Sequence, residues 1–453
     1  MTKDISRRSF LKTSALAAGA LALPGALRVN EISRSSSLAR RRADLSKAED
    51  VLTIGLPVAA ADYKYAAGLL KNFTKQTGIT INPFTTNTPS NSWVAVFQEI
   101  STRLAGGEAV DTAYIATEGM LLFEEQGLLT ALDSYIAKDR KPVQTYYNDI
   151  NANLLANFRR LDNIKGHQFF LPIGYNVMSM WYNRDVFKTY KLREPEPGWT
   201  WDEFLAAAKK IADAPNRYGF AIGTPTPGPF TDIYPWVLTN GSEIMNADQT
   251  KCVAHNAGAI EAATFVRDMV DKKLVNAPGG AYNSQTETVS NRLGMFGAGI
   301  WPNATWPIPQ SEANKRFAIV PWPKKVKNGT PVGVGGFPIF EHSAKKAAIW
   351  EFIKYTISEE FQRNVVVTFG GDMPIRQSVA RSASFLKNFP PGTEYFSTEL
   401  SYSTMIVGVP NASAVESEMS TAWEQIVSGG ISPAAGMAQM ESHCNSLMKQ
   451  KVG

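Results

Sequence analysis

The sequence predicts an α/β fold on three observations. From Val51 onward, short apolar runs alternate with longer segments of helical periodicity, the rhythm of strands layered by helices. The chain has 453 residues, more than one ordinary core accommodates, so two or more domains are expected. Stretches rich in Pro, Gly and aromatics, such as "TPTPGPF" (224–230), "IWPNATWPIP" (300–309) and "PVGVGGFP" (331–338), interrupt the pattern as loops.

The first fifty residues stand apart. "SRRSFLK" followed by "TSALAAGALALPGAL" places a twin arginine before a modest apolar stretch, the order of a twin-arginine export signal. Ser14 to Leu27 is too short and too weakly apolar to span a bilayer. Residues 1–27 are therefore expected to be the signal and 28–50 a disordered tether. The leader also explains the charge. Residues 1–46 carry nine Lys/Arg against three Asp/Glu, and the totals of 46 and 41 leave 37 and 38 for the rest. The mature chain is thus nearly neutral, and nucleic-acid binding is not expected.

The elements follow in order. "VLTIGLP" is a strand. "YAAGLLKNFTKQTG" is a helix, with Tyr65, Leu69 and Phe73 on one face and Gly78 as its stop. "ITINPF" is a strand, "SWVAVFQEISTRLAGG" a helix, "DTAYIAT" a strand and "MLLFEEQGLLTALDSYI" helical. "MSMWYNRDVF" reads as a strand. "TWDEFLAAAKKIAD" is a helix opened by a Thr200–Glu203 capping box. "YGFAIG" is a strand and "AIEAATFVRDMVDKKL" a helix. "SAKKAAIWEFIKYTI" places Ile349, Phe352, Ile353 and Ile357 on one helical face.

Several chemistries find no support. His167, His255, His342 and His443 are scattered, and no His/Cys spacing suits a metal. There is no GxGxxG, GxxxxGK[ST] or GxSxG, and no cofactor is expected. Carboxylates are numerous, so a glycosidase pair stays open, although none stands in a setting that marks it as tuned. Cys252 and Cys444 could pair in an oxidising compartment, but spacing cannot decide it.

Taken together, "LLKNFTKQTGITINP", "RLAGGEAVDTAYIATEGMLLFEEQGLLTALDSYI", "LPIGYNVMSMWYNRDVF", "TWDEFLAAAKKIAD", "MFGAGIW" and "VGGFPIFEHSAKKAAIWEFIKYTISEEFQ" resemble successive blocks of the maltose-binding-protein-like group. These are the family 1 extracellular solute-binding proteins of ABC importers. The resemblance covers nearly the whole chain from about Val51. It implies a two-lobed periplasmic-binding-protein fold with a multi-strand hinge and a ligand cleft between lobes. Crossings are expected near Gln168–Tyr175, Val334–Phe337 and Gly370–Arg376. Lobe 1 would be 51–170 plus 337–371, and lobe 2 would be 171–336 plus 372–453. The implied function is capture of a carbohydrate (sugar, oligosaccharide or polyol) and delivery to the membrane permease subunits of an ABC importer, by a monomer. An exported carbohydrate-active hydrolase is the alternative.

The resemblance also implies site residues. Trp301 in "GAGIW" matches the aromatic of the ligand-facing loop. An aromatic face stacks on the C–H face of a sugar while polar groups bond its hydroxyl rim. Trp306 is open between packing and ligand contact. Glu118 is either a ligand contact or a helix N-terminal carboxylate, and Trp93 either faces the cleft or merely starts a helix. Asp62 and Tyr63 sit on a loop that commonly faces the cleft. Tyr175 and Asn176 follow the first crossing. Asp232, Tyr234 and Trp236 match a loop lining the second lobe, and Gly336 and Phe337 match the glycine hinge. Arg376 is a candidate for hydroxyl or anion binding. Glu416 and Ser417 stand about where maltodextrin-type members carry aromatics, which puts maltodextrin itself in doubt.

Overall fold

The computed structural model describes residues 51–56, 63–86, 93–162, 166–213, 215–223, 228–280, 282–364, 371–406 and 408–450. The leader, the tether and Asp62 lie outside them, and Tyr63 is described only as the first residue of its helix. The first sheet is built from Val51–Leu56 (β1), Thr80–Thr85 (β2) and Thr112–Ala113 (β3), with Tyr63–Thr77 (α1) and Trp93–Ala105 (α2) as crossovers. β1 lies between the other two and pairs in parallel with both. Leu52, Ile54 and Leu56 alternate onto one buried face, where they join Phe73 of α1 and Phe97 and Ile100 of α2 in one apolar core.

The segment expected as one strand, "DTAYIAT", is broken at Tyr114. Ile115–Ala116 (β4) leaves β1 and pairs with Gly335 and Gly336 in another sheet. The chain changes partner at Tyr114, and the next helix, Thr117–Glu125 (α3), starts at once.

Pro172–Val177 (β5) and Ser179–Asn183 (β6) are separated by Met178 alone, yet they belong to different sheets. β6 forms a four-stranded sheet with Tyr218–Ala221 (β7), Leu293–Ala298 (β8) and Phe317–Pro321 (β9), in the order β9-β6-β8-β7. Trp201–Ile211 (α4) and Ala257–Asp271 (α5) flank it. At the start of α4 the Thr200 hydroxyl accepts from the Glu203 N–H at 3.2 Å, and Glu203 accepts from the Thr200 N–H at 2.7 Å. One expectation is corrected: "MSMWYNRDVF" is a strand only to Asn183. The Asn183 side chain accepts from the N–H of Asp185 (2.9 Å) and Val186 (3.1 Å), capping a helix at Arg184–Thr189.

Further elements include Thr330–Gly336 (β10), Lys346–Thr356 (α6), Met373–Pro374 (β11), Ser403–Met405 (β12), Ala412–Ser428 (α7) and Pro433–Leu447 (α8). The third sheet runs β11-β5-β10-β12, with β4 also on β10. It gathers strands from widely separated parts of the chain and continues through β5 into β6. A second apolar core packs α4, α5, α7 and α8 around Trp201, Phe204, Trp236, Met419 and Trp423. Cys252 and Cys444 are buried in it as free thiols, and the Cys444 thiol donates to the Val415 carbonyl at 3.8 Å.

Candidate functional site

Trp301 sits just beyond the end of β8. The indole lies against Gly299, where an added methyl group would fall 2.2 Å from the ring. Its own backbone is crossed by Gly371, whose φ of +100° suits glycine. The expected loop is in part a helical turn, Pro302–Thr305, with Pro in the first position, where its fixed φ fits and no N–H is needed. Trp301 is half-buried and packs against both apolar cores. Trp306 has a different role. It stacks on Phe317 at 4.3 Å and meets Trp181 and Phe296 at steep angles, as packing beneath the loop.

A polar chain fastens the Trp301 loop to the third sheet. The Asn176 carboxamide oxygen accepts from the Ile300 N–H at 2.9 Å. Its nitrogen donates to the Gly371 carbonyl (3.0 Å) and to Asp372 (2.6 Å). The Tyr114 hydroxyl donates to the other Asp372 oxygen. Burial pushes the Asp372 carboxyl up to about 6, against the pull of its hydrogen bonds to Tyr114 and Asn176. The Trp93 ring lies 5.8 Å from that of Tyr114 and stacks on Phe97. Trp93, Asn176 and Trp301 are thereby brought into one connected patch. Tyr114 and Asp372, which sequence reasoning did not nominate, join them.

A second group is acidic. Glu118 opens α3 and is 7% exposed, and its Oε2 has no hydrogen-bond partner. The Thr117 hydroxyl donates to the Val334 carbonyl and accepts from the Val334 N–H, both at 2.9 Å, seating this helix end on β10. Glu416 is carried by α7, which packs against α3. Burial pushes Glu118 up to about 7, and burial plus the Glu118 charge pushes Glu416 to about 8. Tyr234 is 4% exposed, and its phenol is raised by burial first and by the charges around it, Glu416 and Glu118 included.

The other nominated residues are placed elsewhere or tied down. Trp236 is corrected to core: it is 1% exposed, 5.0 Å from Trp322 and 5.6 Å from Trp201. Phe337 is likewise core, packed edge-on against Tyr114 and Phe352. Tyr175 is fully buried, with its hydroxyl 3.1 Å from that of Ser397. Gly336 is buried in β10 against Leu171 and Phe170. Arg376 donates to the Ile357 carbonyl (2.7 Å) and pairs with Asp149 (3.2 Å), a structural arrangement. Asp232 accepts from the N–H groups of Gly223 and Gly228 and from the Thr231 hydroxyl, so its carboxylate ties its own loop. A cavity of about 450 Å³ lies beyond Thr117 and Met120, between them and Gln249 and Met448; it is lined by none of the nominated residues. The unpartnered acid and the half-buried indole are the better guide to a site than that cavity.

Residues 57–363 match the family of bacterial extracellular solute-binding proteins. Residues 4–24 match the twin-arginine translocation signal, so the chain is exported and extracytoplasmic. A Brucella abortus protein, whose name says only that it is a binding protein, is 23% identical over 366 residues, covering 79% of this chain and 84% of that one. Two solved structures cover 88% of this chain and 99% of their own. An ABC substrate-binding protein from Listeria monocytogenes in complex with cycloalternan is 21% identical with a TM-score of 0.73. An ABC transporter solute-binding protein from Thermotoga lettingae bound with α-D-tagatose is 20% identical with a TM-score of 0.74. At these identities the likeness establishes the architecture, a two-lobed α/β periplasmic-binding-protein fold.

Proposed function

The chain belongs to the family of bacterial extracellular solute-binding proteins, and from that premise we propose that it captures a carbohydrate and delivers it to an ABC permease. The ligand class is a sugar, an oligosaccharide or a polyol, and the receptor belongs to the maltose-binding-protein-like group. The lobes are 51–170 plus 337–371 and 171–336 plus 372–453, and the cleft runs between them. Trp301 carries the reading. It is a large indole on a glycine-cleared loop, half-buried and in contact with both apolar cores.

The physics follows from that placement. Trp301 offers an apolar face to a pyranose ring, with Trp93 and Tyr234 as further aromatic contacts. Asn176, Asp372, Tyr114 and Glu118 supply hydrogen-bonding groups for hydroxyls. Ligand burial between lobes favours the closed form only by the difference in its affinity for closed and open states. The permease then reads the closed form.

Isothermal calorimetry of the mature chain against a panel of sugars, oligosaccharides and polyols, with product analysis, tests the proposal. The expected result is stoichiometric, reversible binding of an unmodified ligand with a Kd on the order of micromolar, about −8 kcal/mol. Turnover of the bound sugar would instead identify a hydrolase.

A further inference from the structure

Glu118 and Glu416 pose a charge problem that a neutral ligand does not solve. They come from different elements, the first turn of α3 and the body of α7. The two helices pack against each other, the Glu118 charge acts on Glu416, and no cationic side chain figures among the groups that shift either one. Glu118 is more than nine-tenths buried with Oε2 unpartnered. Buried carboxylates are normally paired with cations or fully hydrogen-bonded. Asp111 follows that pattern, bonded to Lys345, Ser343 and the Thr53 N–H. The acid pair is therefore incomplete as it stands.

We propose that Glu118 and Glu416 form a subsite for the ammonium group of an aminated solute, a sugar or polyol bearing a protonated amine. This rests on the reading of the chain as a carbohydrate receptor and specifies which part of the ligand the subsite takes. A hydroxyl brings one donor and no charge, so two neighbouring carboxylates would still repel beside it. An ammonium brings three donors and a positive charge, enough to satisfy the orphan Glu118 oxygen and to offset the repulsion. Tyr234 lies within the field of both acids, and its ring adds a negative face of the kind ammonium groups favour. Without a cation, burial favours the protonated form of both carboxyls, and the Glu118 charge adds to this at Glu416.

The test uses the exported, leader-free chain at pH 8.5, where the pair has lost its protons. Melting is compared in methylammonium chloride and in sodium chloride at equal ionic strength. The expected result is a Tm several degrees higher in methylammonium, with that advantage lost in Glu118→Gln and, separately, in Glu416→Gln. Equal melting of the wild type in both salts overturns the proposal, as does an advantage retained in both variants. If one variant fails to fold, the other decides; if both fail, the wild-type comparison decides. A second arm measures calorimetric affinity for glucosamine against glucose, and for 1-amino-1-deoxysorbitol against sorbitol. The aminated member is expected to bind at least ten-fold tighter. A neutral partner binding as tightly sinks the ammonium subsite and leaves the carbohydrate receptor standing. A methylammonium effect with no sugar or polyol bound keeps the subsite and counts against the carbohydrate reading.

Discussion

Gly371 lies directly on the backbone of Trp301: an added methyl group would fall 2.2 Å from the Trp301 Cα. The same glycine holds φ at +100° and gives its carbonyl to Asn176 at 3.0 Å. Position 371 is thus the buttress that seats the indole. Gly371→Ala should cost roughly 1–3 kcal/mol of stability from backbone strain and should weaken ligand binding by moving Trp301. Urea unfolding and calorimetry read the two effects. Wild-type values in both would show that nothing at Trp301 depends on this contact.

The tryptophans separate by role. Trp301 is half-buried over a glycine, whereas Trp306 is stacked on Phe317 at 4.3 Å and Trp236 is enclosed by aromatic rings. Trp301→Ala should lower affinity by ten-fold or more and shift Tm little. Trp236→Ala should cost roughly 3–5 kcal/mol of stability through its cavity, with Trp306→Ala somewhat less. A Trp301→Ala protein that melts early yet binds normally would return that residue to core packing.

The contrast between these residues shows what a sequence can disclose. Local signals read well. The apolar run of β1, the apolar face of α1 and the Thr200–Glu203 box are each set within a few residues, and the structure contains all three elements. The helix at Arg184 escapes a sequence reading because it is only six residues long and its cap, Asn183, ends the strand directly, with no Gly or Pro between the two elements. Side-chain direction was the larger loss. Trp236 and Arg376 looked like site residues by type, but one turns into the core and the other toward Asp149. Asp372 and Glu416 acquire meaning only beside Tyr114 and Glu118, hundreds of residues away. No local pattern reports such a meeting.

Acidity at the third sheet should be visible in stability. Glu399 is fully buried, the Ser179 hydroxyl donates to one of its oxygens, and burial pushes it up to about 8. The unfolded chain releases that proton near pH 4.3, so the folded state holds it over the interval between. Its contribution is therefore complete below about pH 4 and is lost as pH rises through about 8. Glu399→Gln should match the wild type at pH 5 and be more stable by roughly 1–3 kcal/mol at pH 9. Denaturant melts of both proteins at the two pH values test this. A difference that does not change with pH would remove Glu399 from the titration.

The thiols of Cys252 and Cys444 are the final case. Both are free thiols buried inside the second apolar core. Their backbones are already held in register: the Asn445 side chain accepts from the Cys252 N–H at 3.0 Å and donates to its carbonyl at 2.8 Å. The chain is exported, and an oxidising compartment favours pairing of adjacent thiols. Transfer of two electrons and two protons to an external thiol oxidant should leave one intramolecular disulfide, about two mass units lighter than the reduced chain. That bond would close a long loop and stabilise the fold by roughly 2–4 kcal/mol, chiefly by restricting the unfolded chain. Intact mass spectrometry after alkylation of the unfolded, unreduced protein decides it. Uptake of two alkyl groups would show that burial shields the thiols from oxidation, and Cys252→Ser would then melt like the exported wild type.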